Sequence, residues 1–206
     1  QFELFSVGLA GDAPDGGPIT DFWGEPSGGD PKRRLAFTGV HIVGSELVDS
    51  LPTTGFSCIK EAGYLPALRQ GRPLYGQIMG GAWFDLGTPA RYLGAHTRLM
   101  ERAGLLSELP EIAPRVWSNT PIPMGVNVCP PVVLGDNVRL HLGSTVGPNV
   151  VMGARSEVKP GASIINSVVW EDTIIDEAVW DVIASPHAVV KNTESGSLKV
   201  GLDEVG

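Results

Sequence analysis

The chain has 206 residues, enough for one domain or two small ones, and either buries enough apolar surface to fold without cross-links. Hydrophobic residues at 42% and charged residues at 18% are those of an ordinary globular protein, while 27 Gly and 17 Pro point to many tight turns and few long helices. A net charge of −8 argues against a nucleic-acid backbone or an anionic membrane surface as the main partner. Cys58 and Cys129 stand far apart with no second pair, which suggests neither a disulfide framework nor a zinc site. Neither a signal peptide nor an apolar run of membrane-spanning length is present, so the cytoplasm is the expected compartment.

Residues 2–43 read as strands joined by turns. Phe2 to Leu9 looks like a strand already under way, and the expectation is that further sequence precedes Gln1. Asp12-Ala13-Pro14-Asp15-Gly16-Gly17 is a turn, and Ile19-Thr20-Asp21-Phe22-Trp23 is the return arm of a hairpin. After a second turn at 27–31, residues 35–43 have the β-branched and aromatic content of a buried strand. The pattern then becomes helical and broken, with pieces at 46–51 and 59–69 separated by Pro52 and Gly55. Segments 74–79 and 82–86 read as strands joined tightly at Gly80-Gly81.

A helix starts at Thr88-Pro89, where the hydroxyl can cap and Pro at the first helical position loses no hydrogen bond. Tyr92, His96, Leu99 and Ala103, flanked by Leu93 and Met100, form its apolar stripe, and Gly104 supplies the stop. Residues 105–127 are Pro-rich and read as a linker.

The strongest regularity follows. Val128, Leu134, Leu140, Val146, Met152, Val158, Ile164 and Trp170 recur every six residues, and Val132, Val138, Ser144, Val150, Ser156, Ala162, Val168 and Ile174 lie four places after them. Such hexads predict a triangular parallel coil, three hexads to a turn, with both sets pointing inward. Trp170 is bulky for that stack, and the period slips by one at Ile175 and Val179, so the last coil is expected to be irregular or capping.

Phe37-Thr38-Gly39-Val40-His41-Ile42, then Gly81-Ala82-Trp83-Phe84-Asp85-Leu86-Gly87-Thr88-Pro89-Ala90-Arg91-Tyr92-Leu93, then the hexapeptide tail, stand in an order that resembles the sugar-nucleotide nucleotidyltransferases, above all the mannose-1-phosphate guanylyltransferase-like members. The resemblance covers nearly the whole chain. It implies an α/β fold, with residues 1–104 as the second half of a Rossmann-like catalytic domain, 105–127 as linker, 128–192 as a left-handed parallel β-helix and 193–206 as a tail. The left-handed sense comes from the resemblance alone, since the usual rule for parallel connections gives the opposite.

The implied reaction is attack by a sugar 1-phosphate oxygen on the α-phosphorus of a nucleoside triphosphate, with release of pyrophosphate. Two anions must meet in line, so Mg²⁺ is the expected cofactor. The resemblance makes Asp85 the catalytic Mg²⁺ ligand, although a turn aspartate that caps backbone is the plainer reading, and a lone Asp needs a second carboxylate. It makes Thr38 and Gly39 sugar-binding, against a core strand whose glycine merely admits a helix. Glu25 stands near the family's Glu-Lys-Pro, but here the residue that follows is Pro26, so the basic partner is missing.

Lys32-Arg33-Arg34 is a small basic cluster that could steer phosphates, or simply a solvated turn. The histidines, His41, His96, His141 and His187, share no metal-ligand spacing. A Gly-rich loop carrying Arg, which cradles the nucleotide, is absent from residues 1–206. Two alternatives therefore stay open beside an incomplete nucleotidyltransferase: a non-catalytic sugar-binding or assembly module, and a hexapeptide acyltransferase with His141 as base. A homo-oligomer is expected in each case.

Overall fold

The computed structural model describes residues 6–25, 31–102, 106 and 108–193. The chain forms two compact units, Gln1–Trp83 and Phe84–Gly206. No helix among the described residues is long and apolar enough to cross a membrane.

The first unit is built on a four-stranded sheet in the order β3-β1-β2-β4, from β1 (Ser6–Leu9), β2 (Gly16–Phe22), β3 (Arg33–Ala36) and β4 (Tyr75–Gln77). The Asp12–Gly17 turn closes a β1–β2 hairpin with Val7 opposite Phe22 and a bulge after Gly8. At Gly16 the backbone takes φ +137°, and a Cβ there would sit 2.0 Å from the Gly76 carbonyl, so glycine is what lets β2 and β4 meet. Helix α1 (Ser45–Asp49), a π-helical turn (Lys60–Tyr64) and α2 (Leu65–Arg69) complete the unit. The Pro66 ring cannot stand against the Ala62 carbonyl in a regular α-turn, and the wider π-turn before it accommodates the ring. Val7, Leu9, Phe22, Tyr64 and Leu65 form the core.

All described pairings in this sheet are antiparallel, so the described residues show an antiparallel sheet with short helices. Two expectations change here. The strand expected over 35–43 stops at Ala36, because no described strand lies opposite residues beyond it; Val40 and Ile42 are exposed. Residues 82–86 are not a strand either, and only Tyr75–Gln77 pairs within 74–79.

The second unit is a β-solenoid of about four turns with three parallel faces. One face stacks β7 (Asn127–Val128), β10 (Thr145–Val146), β13 (Ser163–Ile165) and β16 (Ala178–Trp180). The second stacks β6 (Val116–Ser118), β8 (Val132–Leu134), β11 (Val150–Met152), β14 (Ser167–Val169) and β17 (Val182–Ala184). The third stacks β9 (Arg139–Leu140), β12 (Glu157–Val158) and β15 (Ile174–Ile175). The periodic residues fill the interior as expected: Val146, Val158 and Ile164 are completely buried, with Leu134, Leu140 and Met152 beside them. Each such side chain contributes about 1.5–3 kcal/mol of burial. Corners fall on Asn137, Asn149, Asn166, Asp172 and Asp181 at positive φ, a backbone that short polar side chains tolerate best.

The period slips earlier than expected. Asn127, Thr145 and Ser163 pair at a full coil, but only Asn166 separates β13 from β14, where Gly147, Pro148 and Asn149 separate β10 from β11. Met152 therefore pairs with Val169, which points inward, and Trp170 stays outside at 51% exposure. The same shift exposes Ile174 and buries Ile175.

The expected linker is partly structured, since β5 (Glu111–Ala113) and β6 form an antiparallel hairpin and Val116 and Trp117 are buried. At the other end β18 (Val189–Lys191) pairs antiparallel with β17. Both ends of the long sheet thus close with a short antiparallel strand, which limits the open parallel edge. Its outer surface carries a register-matched apolar row, Trp117, Val133, Val151, Val168, Ile183 and Val190. Helix α3 (Pro89–Glu101) covers that row, with Met100 packed against Trp117 and Val133. That contact places the helix in the second unit, where a domain boundary near residue 104 was expected. The expected stop at Gly104 and the tail beyond Thr193 lie outside the described residues.

Candidate functional site

Asp85 lies in an irregular segment just ahead of α3. Its Oδ1 accepts the Gly87 N–H at 3.0 Å, and its Oδ2 is paired with the Arg91 guanidinium. Thr88 caps the helix as the sequence predicts, its hydroxyl accepting the Arg91 N–H at 3.3 Å. Asp85 thus braces the turn that enters α3, and both carboxylate oxygens are engaged. Among the described residues no group of three or more His, Cys, Asp and Glu side chains that could hold a metal ion comes together. The described residues do not by themselves fit a Mg²⁺ site.

Thr38 and Gly39 follow β3 in irregular backbone. The Thr38 hydroxyl accepts the Val40 N–H at 3.3 Å, and its carbonyl accepts the Trp83 indole N–H at 3.3 Å. Gly39 has φ +80° with nothing within 4 Å of where a Cβ would stand. A helix packed on that glycine is therefore not the reason for it. The left-handed turn requires it, and the backbone beside it is open to a ligand.

Glu25 closes a tight turn in which Phe22 and Glu25 exchange backbone hydrogen bonds of 2.8 and 3.0 Å, with Trp23 at φ +57° and Gly24 at φ +85° between them. The buried Asp21 fixes this turn by accepting the Gly24 N–H at 2.7 Å and the Arg34 guanidinium at 2.9 Å. Arg34 is thereby committed, and Arg33 donates to the Ala13 carbonyl at 2.8 Å, so two members of the basic cluster serve the sheet instead of steering phosphates. Around the turn stands an aromatic group: Tyr64 stacks on Phe22 at 5.1 Å, and Phe37 meets Phe22 edge-on. Burial pushes the Tyr64 hydroxyl above its ordinary range, and it has no hydrogen-bond partner among the described residues.

Lys60, from the π-turn, places its ammonium 4.6 Å from the Trp23 ring centroid and 2.8 Å from Glu61. The Glu61 hydrogen bond, with Glu25 adding a weaker attraction, holds the Lys60 ammonium above its ordinary pKa. Arg69 approaches Glu25 at 4.0 Å. Sequence spacing gave no warning of this gathering, since Trp23, Glu25, Lys60 and Arg69 come from a hairpin and a helix far apart in the chain. The hint available was Trp23-Gly24 in a turn that ordinarily takes Asn-Gly. Glu25, Thr38 and Gly39 belong to the first unit and Asp85 to the second.

In the solenoid, His141 donates its Nε2–H to the Glu157 carboxylate at 2.7 Å, which also accepts from Lys159 at 2.7 Å and Arg139 at 2.9 Å. Lys159 first and Arg139 next hold the Glu157 carboxyl down to about 2. His141 is one rung of an ionic ladder on the outer face. A groove of about 470 Å³ lies elsewhere in this unit, between the start of α3 and the outer face, lined by Leu86, Pro89, Tyr92, Trp170, Ile183 and Val190. His96 turns its Nδ1 to the Tyr92 carbonyl at 2.9 Å, and His187 is exposed in the β17–β18 turn. No family model matches the chain, and no curated protein matches it significantly.

Proposed function

We propose that the chain is the C-terminal portion of a sugar-1-phosphate nucleotidyltransferase of the mannose-1-phosphate guanylyltransferase-like kind. On this reading the first unit is the second half of a Rossmann-like catalytic domain. The solenoid is a left-handed β-helix that mediates homo-oligomer contacts, and the enzyme acts in the cytoplasm. The observation that carries the reading is the order of parts: the Thr38-Gly39 turn, the Asp85 turn with its Thr88-capped helix, and a hexapeptide coil on which that helix lies.

The sugar 1-phosphate oxygen attacks the α-phosphorus of the nucleoside triphosphate and pyrophosphate leaves. Glu25 and the open backbone at Gly39 receive sugar hydroxyls, and the nucleotide is held by a Gly-rich loop that is not in this sequence. Mg²⁺ belongs to this chemistry, but Asp85 could reach it only by giving up Arg91, and further ligands must come from outside the described residues. That engagement of Asp85 favours a second reading, a non-catalytic sugar-binding and assembly module.

Pyrophosphate release by the full-length gene product, given nucleoside triphosphates and hexose 1-phosphates with Mg²⁺, separates the two. Turnover that Asp85→Asn lowers at least a hundredfold supports the first reading. Sugar phosphate binding with no pyrophosphate from any pair supports the second. Thiol release from an acyl thioester, lost in His141→Ala, would replace both with acyl transfer.

A further inference from the structure

The solenoid carries ionic groups in two neighbouring places on its outside, and their charges balance in opposite ways. At the corner just before Glu157, Arg155 meets two acids, Glu171 at 2.8 Å and Asp172 at 2.7 Å, so anionic charge is in excess. On the third face the ratio is reversed. There the single Glu157 carboxylate gathers Lys159, Arg139 and the His141 ring, all three in direct hydrogen-bond contact with it. In that row Ile174 stands in register beyond Glu157, so the next coil brings no second acid to it. Among the described residues Asp176, also one coil on, pairs with none of the three donors, whose ion pairs all run to Glu157.

Burial divides the cluster in the same sense. The Glu157 side chain is only 8% exposed, whereas Arg139 is 63%, Lys159 40% and His141 39% exposed. A buried acceptor therefore tethers three donors that face solvent. Arg139 gives Glu157 its Nη2 alone, which leaves Nε and Nη1, and the Lys159 ammonium keeps two further N–H groups. The strands beneath are fixed as well, since the His141 N–H donates to the Val158 carbonyl and the Lys159 N–H to the Ile175 carbonyl. Long cationic side chains pinned at one end have already lost much of their rotamer freedom, so little is left to lose on binding. Lys159 and Arg139 hold the Glu157 carboxyl far below its ordinary range, so the tether stays charged at neutral pH.

We propose that Arg139 and Lys159, with His141 beside them, bind a small oxyanion of the phosphate class on the third face of the solenoid. Glu157 is the positioning residue that holds the three donors together. A tetrahedral dianion seated on them accepts charge-assisted hydrogen bonds from the free edge of the guanidinium and from the ammonium at once. With His141 protonated the four groups carry a net +2, which a phosphate dianion cancels. The chain's net charge of −8 repels an extended polyanion, whereas a small anion in direct contact feels mainly the cations beside it. Free inorganic phosphate and the phosphoryl group of a small monoester share this chemistry. The inference does not depend on the nucleotidyltransferase reading.

The test is calorimetric titration of the full-length gene product with inorganic phosphate and with methyl phosphate, at neutral pH and constant ionic strength set by sodium chloride. Nuclear magnetic resonance of the imidazole signals and thermal unfolding of every variant run alongside. The expected result is saturable binding of at least one probe, displaced by sulfate, with a shift of an imidazole signal that His141→Gln removes. Arg139→Gln and Lys159→Gln each weaken the binding about tenfold, the worth of one charge-assisted hydrogen bond, and Lys159→Arg restores it to within about threefold. Arg155→Gln, which takes the same charge from the neighbouring corner, leaves the affinity within about twofold. Arg139 is the most exposed of the three donors, so its substitution guards against a folding defect in Lys159→Gln. Binding of methyl phosphate shows that the site admits the phosphoryl group of a monoester, and binding of inorganic phosphate alone restricts it to the free anion. Binding of neither probe, affinity within about twofold of the parent in both Arg139→Gln and Lys159→Gln, or an equal loss in Arg155→Gln overturns the site.

Discussion

In the solenoid each interior place is filled from the same position of successive repeats, so Val146, Val158 and Ile164 meet neighbours supplied by one local rule. In the first unit the core is assembled from a hairpin and a helix far along the chain, and Phe22 meets Tyr64 and Leu65 only once both have folded. The repeat tolerates an error in one coil because the neighbouring coils restore the pairing, as the shortened corner at Asn166 demonstrates. The sheet has no such redundancy, and its functional candidates sit on turns whose shape depends on single buried groups such as Asp21.

The sharpest way to break this contrast is a charge in the repeat interior. Val146→Asp places a carboxylate at a fully buried interior position, and should cost at least about 4 kcal/mol, abolishing the cooperative thermal transition of the solenoid by circular dichroism. A mild effect would mean that the interior is not sealed. Leu65→Ala, in the non-repeating core, should cost about 3 kcal/mol in denaturant unfolding, with the loss spread across the first unit. A loss under 1 kcal/mol would show that this core is loosely packed.

Glu157 supplies a test by pH. Its folded pKa of about 2 lies below the ordinary 4.5, so its stabilising contribution is complete above 4.5 and disappears as pH falls through about 2. The melting temperature of the parent should exceed that of Glu157→Gln at pH 7, and the gap should close between about pH 4.5 and 2. A gap that stays constant over that range would show that Arg139 and Lys159 stabilise the side chain without regard to its charge.

The smallest effect separates two positions of equal rank in the hexad count. Trp170→Ala should cost about 1 kcal/mol or less because the ring is half exposed, whereas Met152→Ala should cost about 3 kcal/mol. Equal losses would place Trp170 inside the coil and refute the slip at Asn166.

How much of this was legible follows from the range over which each feature is decided. The helix cap at Thr88, the stacked hexads and the β1–β2 hairpin were readable because a few neighbouring residues carry the whole signal. The strand expected over 35–43 failed because alternation describes a residue's preference and not whether a paired strand lies beside it. The plainer reading of Asp85, a turn aspartate that caps backbone, was legible and matches its hold on the Gly87 N–H, but its pairing with Arg91 was not anticipated. Lys60 was overlooked altogether, since nothing in its own neighbourhood marks it until Trp23 comes to lie beneath its ammonium.

What the sequence by itself determined, then, was the triangular coil and the way α3 begins, because a six-residue period and a cap are local statements about backbone geometry and burial. What only the tertiary structure decided was which side chains meet at the Trp23 turn, where the coil drops a residue, and which outer row of apolar side chains α3 covers. Those outcomes depend on strands and helices brought together from distant parts of the chain, where solvent exclusion and charge pairing act on distance in space and not on separation in sequence.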